Sequence, residues 1–89
     1  MFDLTIISPQ RIVFDGAVNR VSLDGDDSEY ELLSFHAHVI GVLQEGKIVI
    51  NEKKGIFIKK GIVQFYENKC VILVEEAAGV IRTVTEKQQ

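Results

Sequence analysis

The sequence is poor in the residues that mark most specialised classes of protein. It has no tryptophan, and proline, cysteine and methionine occur once each. A single cysteine, Cys70, excludes an internal disulfide framework. Basic residues are in deficit: the net charge is -3 and the pI about 5.3. A nucleic-acid binder would show a basic stripe, and none is visible. No apolar run approaches the ~20 residues needed to span a bilayer. The start, Met1-Phe2-Asp3-Leu4, carries neither a basic segment nor a signal-type apolar core. The expectation is a soluble chain that meets a membrane only through a partner, without inserting into it.

What the sequence does have is apolar content: 46% of its 89 residues are hydrophobic. The length allows one domain. A chain this short hides only about 60–65% of its unfolded surface, so its core must be efficient. The hydrophobic period is close to two. Phe2, Leu4 and Ile6 alternate with Asp3 and Thr5, and Val21 and Leu23 with Ser22 and Asp24. Ile48 and Ile50 bracket Val49, and Ile56 and Ile58 bracket Phe57. Such alternation sets one group of side chains on one face of a sheet. The runs Ile62-Val63-Gln64-Phe65-Tyr66 and Val71-Ile72-Leu73-Val74 are β-branched and aromatic, which suits a pleated surface.

Turn signals separate these runs: Ser8-Pro9, Asp15-Gly16, Asp24-Gly25, Glu45-Gly46, Lys54-Gly55, Lys60-Gly61 and Glu67-Asn68. The pattern predicts an all-β protein, a two-layer antiparallel β-sandwich of about nine or ten short strands. Glu75-Glu76-Ala77-Ala78 reads as weakly helical and Val80-Ile81-Arg82-Thr83-Val84 as a last strand. The domain is expected over residues 1–85, with 86–89 a frayed tail.

Four segments suggest chemistry. Gly41-Val42-Leu43-Gln44-Glu45-Gly46-Lys47-Ile48 has the glycine and lysine spacing of a phosphate loop. Ile48 stands where that loop needs Ser or Thr for magnesium, and a strand pattern follows where a helix must face the phosphates. Asp24, Asp26 and Ser28 mimic the first ligands of a calcium loop. Glu29 and Phe35 then stand where Gly and a bidentate Glu are required, so a solvated hairpin loop is the better reading. His36 and His38, one residue apart on a strand, would share a face and could begin a zinc site. No third ligand is near in sequence, which favours surface or interface histidines. Cys70 heads an apolar strand and reads as a buried, inert thiol. No nucleophile elbow occurs, and no catalytic residue can be singled out.

Several segments, in order, resemble the N-terminal domain of the F-type ATP synthase epsilon subunit. Leu4-Thr5-Ile6-Ile7-Ser8-Pro9-Gln10-Arg11-Ile12-Val13-Phe14-Asp15-Gly16 is similar to that family's first hairpin, which ends in a Phe-polar-Gly turn. Val18 to Gly25 resembles the following strand, and Glu29-Tyr30-Glu31-Leu32-Leu33 stands where its Gly-Glu segment lies. His36-Ala37 matches its His-Ala-Pro, and Leu43-Gln44-Glu45-Gly46-Lys47-Ile48 its Leu-x-x-Gly-x-x. Lys60-Gly61-Ile62-Val63-Gln64-Phe65 resembles the Gly-Gly-hydrophobic strand, and the stretch from Asn68 to Ala77 the closing Asn-x-hydrophobic run. The resemblance covers Leu4 to Ala77. The chain departs from the family at Ser34-Phe35, where Pro-Gly is usual, and at His38, where Pro is usual. It also stops before the C-terminal helical hairpin of longer members.

The resemblance implies a ten-stranded sandwich in the rotary stalk, with no cofactor, no metal and no catalytic residue. One sheet is expected on the gamma subunit and one end on the ring of membrane c subunits, coupling ring to shaft in proton-driven ATP synthesis. Carried over by position, Glu29, Glu31 and His36 face the c ring, and Ser8, His38 and Val42 face gamma. The implied location is a peripheral membrane complex on the cytoplasmic face of the inner membrane. Two other classes compete: a biotinyl or lipoyl carrier sandwich, whose lysine would be at the tip Glu52-Lys53-Lys54-Gly55, and a small metal-dependent protein using His36 and His38.

Overall fold

A computed structural model describes residues 1–25 and 29–76. Eight strands run through them: β1 Phe2–Ile7, β2 Ile12–Val18, β3 Arg20–Asp24, β4 Glu29–Leu33, β5 Val39–Leu43, β6 Gly46–Ile50, β7 Lys54–Tyr66 and β8 Lys69–Glu76. Hydrogen bonding orders them β2-β1-β8-β7-β6-β3-β4, with β5 also on β7. The all-β sandwich read from the sequence is the fold observed.

The long strand β7 belongs to both layers. Its first half, from Lys54 to Ile58, pairs with β6. Its second half, from Gly61 to Tyr66, pairs with β5 on one side and β8 on the other. The register shifts between Ile58 and Lys60. Ile56 and Ile58 point inward before the shift, and Gly61, Val63 and Phe65 after it, while Lys59 and Lys60 are both exposed. An extra residue therefore resets the inward parity as the strand passes between layers.

That bulge corrects the strand count. Two predicted strands, separated at Lys60-Gly61, are one bent strand, and eight strands are seen among the described residues. The predicted helical turn and final strand, at 75–78 and 80–84, run beyond Glu76 and lie largely outside the described residues, as does the predicted boundary at 85. Pairing is antiparallel throughout except between β1 and β8, which run parallel.

Two more predicted turns move. Asp15-Gly16 lies inside β2, paired with Thr5 and Leu4. The chain instead turns at Asn19, where the Asn51 side-chain oxygen accepts from the N–H of Asn19 at 2.7 Å and of Arg20 at 3.2 Å. Lys54-Gly55 opens β7, and the preceding turn uses Asn51 and Glu52 at φ 52° and 62°. Glu67-Asn68 is the predicted two-residue hairpin, with φ of 50° and 61°. Positive φ at both positions is the type I′ geometry that matches strand twist.

The core fills the space between the layers. Leu4, Ile6, Val63, Phe65, Cys70 and Ile72 come from one layer, and Val21, Leu23, Leu32, Ile48 and Ile50 from the other. All are almost wholly excluded from solvent. Phe2 and Phe65 meet edge to face at a centroid distance of 5.1 Å, the arrangement the ring quadrupoles favour.

Candidate docking faces

The outer surface of β5, β7, β8 and β1 is unusually apolar. The strand registers align Val42 with Ile62, Ile62 with Leu73, and Leu73 with Ile7. These four residues form one row straight across four strands. A second row runs Ile40, Gln64, Val71 and Thr5. Val42 is 59% exposed, and Ile62 and Leu73 are 51% exposed each. At the end nearer the Ser8 turn, the face deepens into a groove of about 610 Å³ lined by Ile7, Pro9, Val42, Ile62 and Leu73. Its polar rim carries Lys60 and Glu75, with Nζ to Oε1 at 3.6 Å.

Val42, which the resemblance assigned to gamma, lies in the first of these rows. His38 contacts the exposed Tyr66 at a centroid distance of 4.9 Å, near the opposite end of β5. Ser8 also lines the groove, but its side chain is buried and committed to its own turn. Its hydroxyl accepts from Gln10 N–H at 3.3 Å and Arg11 N–H at 3.2 Å, and donates to the Arg11 carbonyl at 3.3 Å. Ile7, Ile62 and Leu73 were missed. The signal for them was present: the runs Ile62-Val63 and Val71-Ile72-Leu73-Val74 are apolar on both faces, where one buried face needs only alternation.

Glu29 and Glu31 lie in the other layer, on the exposed face of β4. Glu31 faces Arg20 at 3.5 Å. His36 follows the opposite end of that strand, so the acidic pair and the histidine are not one cluster. The two histidines do not converge either. Residues 36–38 form a loop, not a strand. The His36 ring packs on Phe65 at 5.8 Å and the His38 ring on Tyr66 at 4.9 Å. Phe65 and Tyr66 are successive on β7 and face opposite ways. Among the described residues no group of three potential ligands could hold a metal ion.

Gly41 to Lys47 runs from β5 through a turn into β6. The Asp24 carboxylate accepts from the Lys47 N–H at 3.0 Å and presses against Gly46, where a Cβ would collide with it. That backbone donor, one that a phosphate loop would offer, is already taken by the chain's own carboxylate. Lys54 lies in β7 with its Nζ over the Phe14 ring at 5.5 Å, not at a hairpin tip. Burial pushes the Cys70 thiol up to about 12, so it is neutral and unreactive at neutral pH.

One ion pair ties the layer's end. Arg11 reaches Glu76 through Nη2 to Oε1 at 2.6 Å and Nε to Oε2 at 3.2 Å. The hydrogen bond from Arg11 holds the Glu76 carboxyl below its ordinary range, against the opposing effect of burial. The bidentate contact joins the start of β2 to the last residue of β8.

Comparison with known proteins fits this architecture. The ATP synthase epsilon chain of Nitratiruptor is 35% identical over 78 residues, covering 83% of this chain and 60% of that protein. That of Aquifex aeolicus is 32% identical over 82 residues, covering 90% and 62%. That of Sulfurimonas denitrificans is 30% identical over 81 residues, covering 86% and 62%. The chain thus spans about three-fifths of the length of these relatives. Among solved structures, a chain of the Tetrahymena thermophila mitochondrial ATP synthase central stalk and c-ring assembly superposes with a TM-score of 0.72 at 19% identity, covering 83% of this chain and 63% of that one. A chain of the Euglena gracilis mitochondrial assembly of OSCP, F1 and c-ring gives 0.73 at 14%, covering 94% and 61%. These likenesses are of fold. The family described as the ATP synthase Delta/Epsilon chain beta-sandwich domain matches residues 1–80, and the chain belongs to that family.

Proposed function

We propose that this chain is a non-catalytic subunit of the central stalk of an F-type ATP synthase, docked on the gamma subunit and resting on the c ring. The observation that carries the reading is the row Val42, Ile62, Leu73 and Ile7 on the outside of a closed sandwich. Solvent-facing strands of a monomer normally alternate apolar with polar residues. A contiguous apolar patch rimmed by charge marks a surface meant to be covered. Gamma is assigned to this face, with Val42 at the β5 end of the row, His38 at its margin and Ser8 supporting the turn beneath.

The acidic strip on β4, with Glu29 and Glu31, is assigned to the c ring. There it offers charge complementarity to basic groups on the ring's polar loops, which sets orientation more than affinity. His36 is assigned to the ring as a separate contact, beyond the other end of β4. A close-packed sandwich resists deformation, and torque transmission between ring and shaft needs a stiff body. The assembled subunit is peripheral to the membrane, on its cytoplasmic face in a bacterial arrangement, and works without a cofactor.

The test is co-purification from native membranes with a tagged copy of this chain. Gamma and c subunits should be recovered together. Recovery of neither, or turnover of a substrate by the purified chain alone, overturns the reading. Glu29→Lys should reduce proton-driven ATP synthesis in reconstituted vesicles while gamma binding persists. Unchanged synthesis removes the assignment of Glu29 to the ring.

A further inference from the structure

We infer that the unassembled chain covers its apolar face with a second copy of itself. The two sheets stack face to face about a two-fold axis that crosses β8 at Ile72. This goes beyond the reading above and does not rest on it.

The argument starts on β8, whose outward residues are Lys69, Val71, Leu73 and Glu75. Charges of opposite sign stand at the two ends, with apolar side chains between them. The strand registers spread this pattern across the layer. Lys60 and Glu75 form the first row; Val42, Ile62, Leu73 and Ile7 form the next. Ile40, Gln64, Val71 and Thr5 follow, and Tyr66, Lys69 and Asp3 close the face. A largely apolar band is thus bounded at both ends by charge.

β8 is the middle strand of this layer, which runs β2-β1-β8-β7-β5. Full overlap of two such faces therefore sets β8 on β8. An axis along the strands would put Glu75 on Glu75 and Lys69 on Lys69, and like charges placed opposite one another suppress that arrangement. An axis across the strands sets β8 antiparallel over its copy. Lys69 then faces Glu75 of the second copy, and Val71 faces Leu73 of the second copy. Each contact occurs twice, as an isologous interface requires. The charges are available for it. Lys69 makes no ion pair among the described residues, and Glu75 meets its own lysines only at 3.6 and 3.8 Å, with its side chain 47% exposed.

The size of the face sets the strength. Four strands about 4.8 Å apart, and six residues rising about 3.4 Å each, give a face of roughly 20 by 20 Å. Stable complexes bury about 800 Å² of accessible surface per partner, so this face lies at the low end. The dimer is weak and exchanges. It shelters a patch that would otherwise invite non-specific association, and it yields the face to a tighter binder.

Sedimentation velocity of the full chain over a concentration series tests this. The expected result is a reversible monomer–dimer equilibrium, weakened at least tenfold in Leu73→Asp. Lys69→Glu opposes two carboxylates at each end of the contact, and Glu75→Lys opposes two ammonium groups. Each variant alone should weaken the dimer severalfold. Mixed in equal amounts, the two variants regain both opposite-charge contacts, and a heterodimer of wild-type strength should form. All three positions are exposed, and circular dichroism checks that each variant is folded. A wild-type chain that stays monomeric at every concentration overturns the inference, whatever else covers the face. A dimer that persists in folded Leu73→Asp uses another surface and overturns it too. A mixture no stronger than either charge variant alone rules out the antiparallel stacking. None of these outcomes depends on gamma, so the functional reading above stands or falls separately.

Discussion

Phe35 holds a φ of 62° and is 83% exposed. It is the third residue of a turn closed by the His36 N–H on the Leu33 carbonyl at 3.2 Å. Positive φ at that position is the type II pattern, which favours Gly or Asn there and Pro before it. Pro-Gly is what the family usually carries, and Ser34-Phe35 stands in its place. A bulky side chain in the left-handed region costs about 1–2 kcal/mol. The conformation persists because the Phe35 N–H is held by the Asn68 side chain at 2.6 Å, which in turn donates to the Met1 carbonyl at 2.9 Å. Phe35→Asn should relieve the strain and raise unfolding stability by about 0.5–1 kcal/mol, measured by denaturant titration. A loss of stability would show that the ring contributes more than its backbone costs. At Glu76 the carboxyl is depressed by Arg11, so the folded form binds its proton less readily than the unfolded form. Its stabilising contribution is complete above the unfolded pKa and is lost as pH falls through the folded value. Melting temperature should therefore fall on acidification below the ordinary carboxylate range, and less steeply in Glu76→Gln. Parallel pH profiles for the two proteins would contradict this.

β7 is the element on which the architecture turns. A strand keeps alternate residues on alternate faces, and β7 shows one break in that parity as it passes from one layer to the other. Lys59 provides it, and Gly61 follows because a Cβ there would stand 2.9 Å from the Leu73 carbonyl. Deleting Lys59 restores strict alternation across Ile58 to Phe65. The bend and added twist that the extra residue gives β7 as it passes between layers are then lost. The deletion should abolish cooperative unfolding, seen as loss of a sharp thermal transition by circular dichroism, whereas Lys59→Ala should leave it within about 0.5 kcal/mol of the wild type. The alternation of β1, β3 and β6 is legible directly in their residues, because each packs one face on the core. The continuity of β7 was not, because Lys60-Gly61 carries the same local signature as a turn. The parallel pairing of β1 with β8 joins strands from opposite ends of the chain, and no local pattern encodes it.

The whole molecule has two outer surfaces of different chemistry. One is an apolar face on β5, β7, β8 and β1; the other carries the acidic pair on β4. Leu73 sits at the centre of the first and contributes nothing to the core, so its replacement should separate binding from folding. Leu73→Asp should leave the melting temperature nearly unchanged and weaken gamma binding by more than tenfold, about 1.4 kcal/mol or more, as expected for a central contact. Retained affinity in a folded variant would move the docking face elsewhere.

The sequence alone settled the class of fold, the core positions of the alternating strands and the membership that the ordered motifs implied, because those depend on periodicity and spacing along the chain. The resemblance also named Val42 and the acidic pair as candidates. Only the tertiary structure decided which apolar residues outside the core stand side by side. Val42, Ile62, Leu73 and Ile7 are separated by 11 to 66 positions in the chain, and they form a row solely because three strand registers place them there. It alone buried Ser8 and parted the two histidines. Each of these is set by the pairing of distant strands, which backbone hydrogen bonds fix and local sequence does not record.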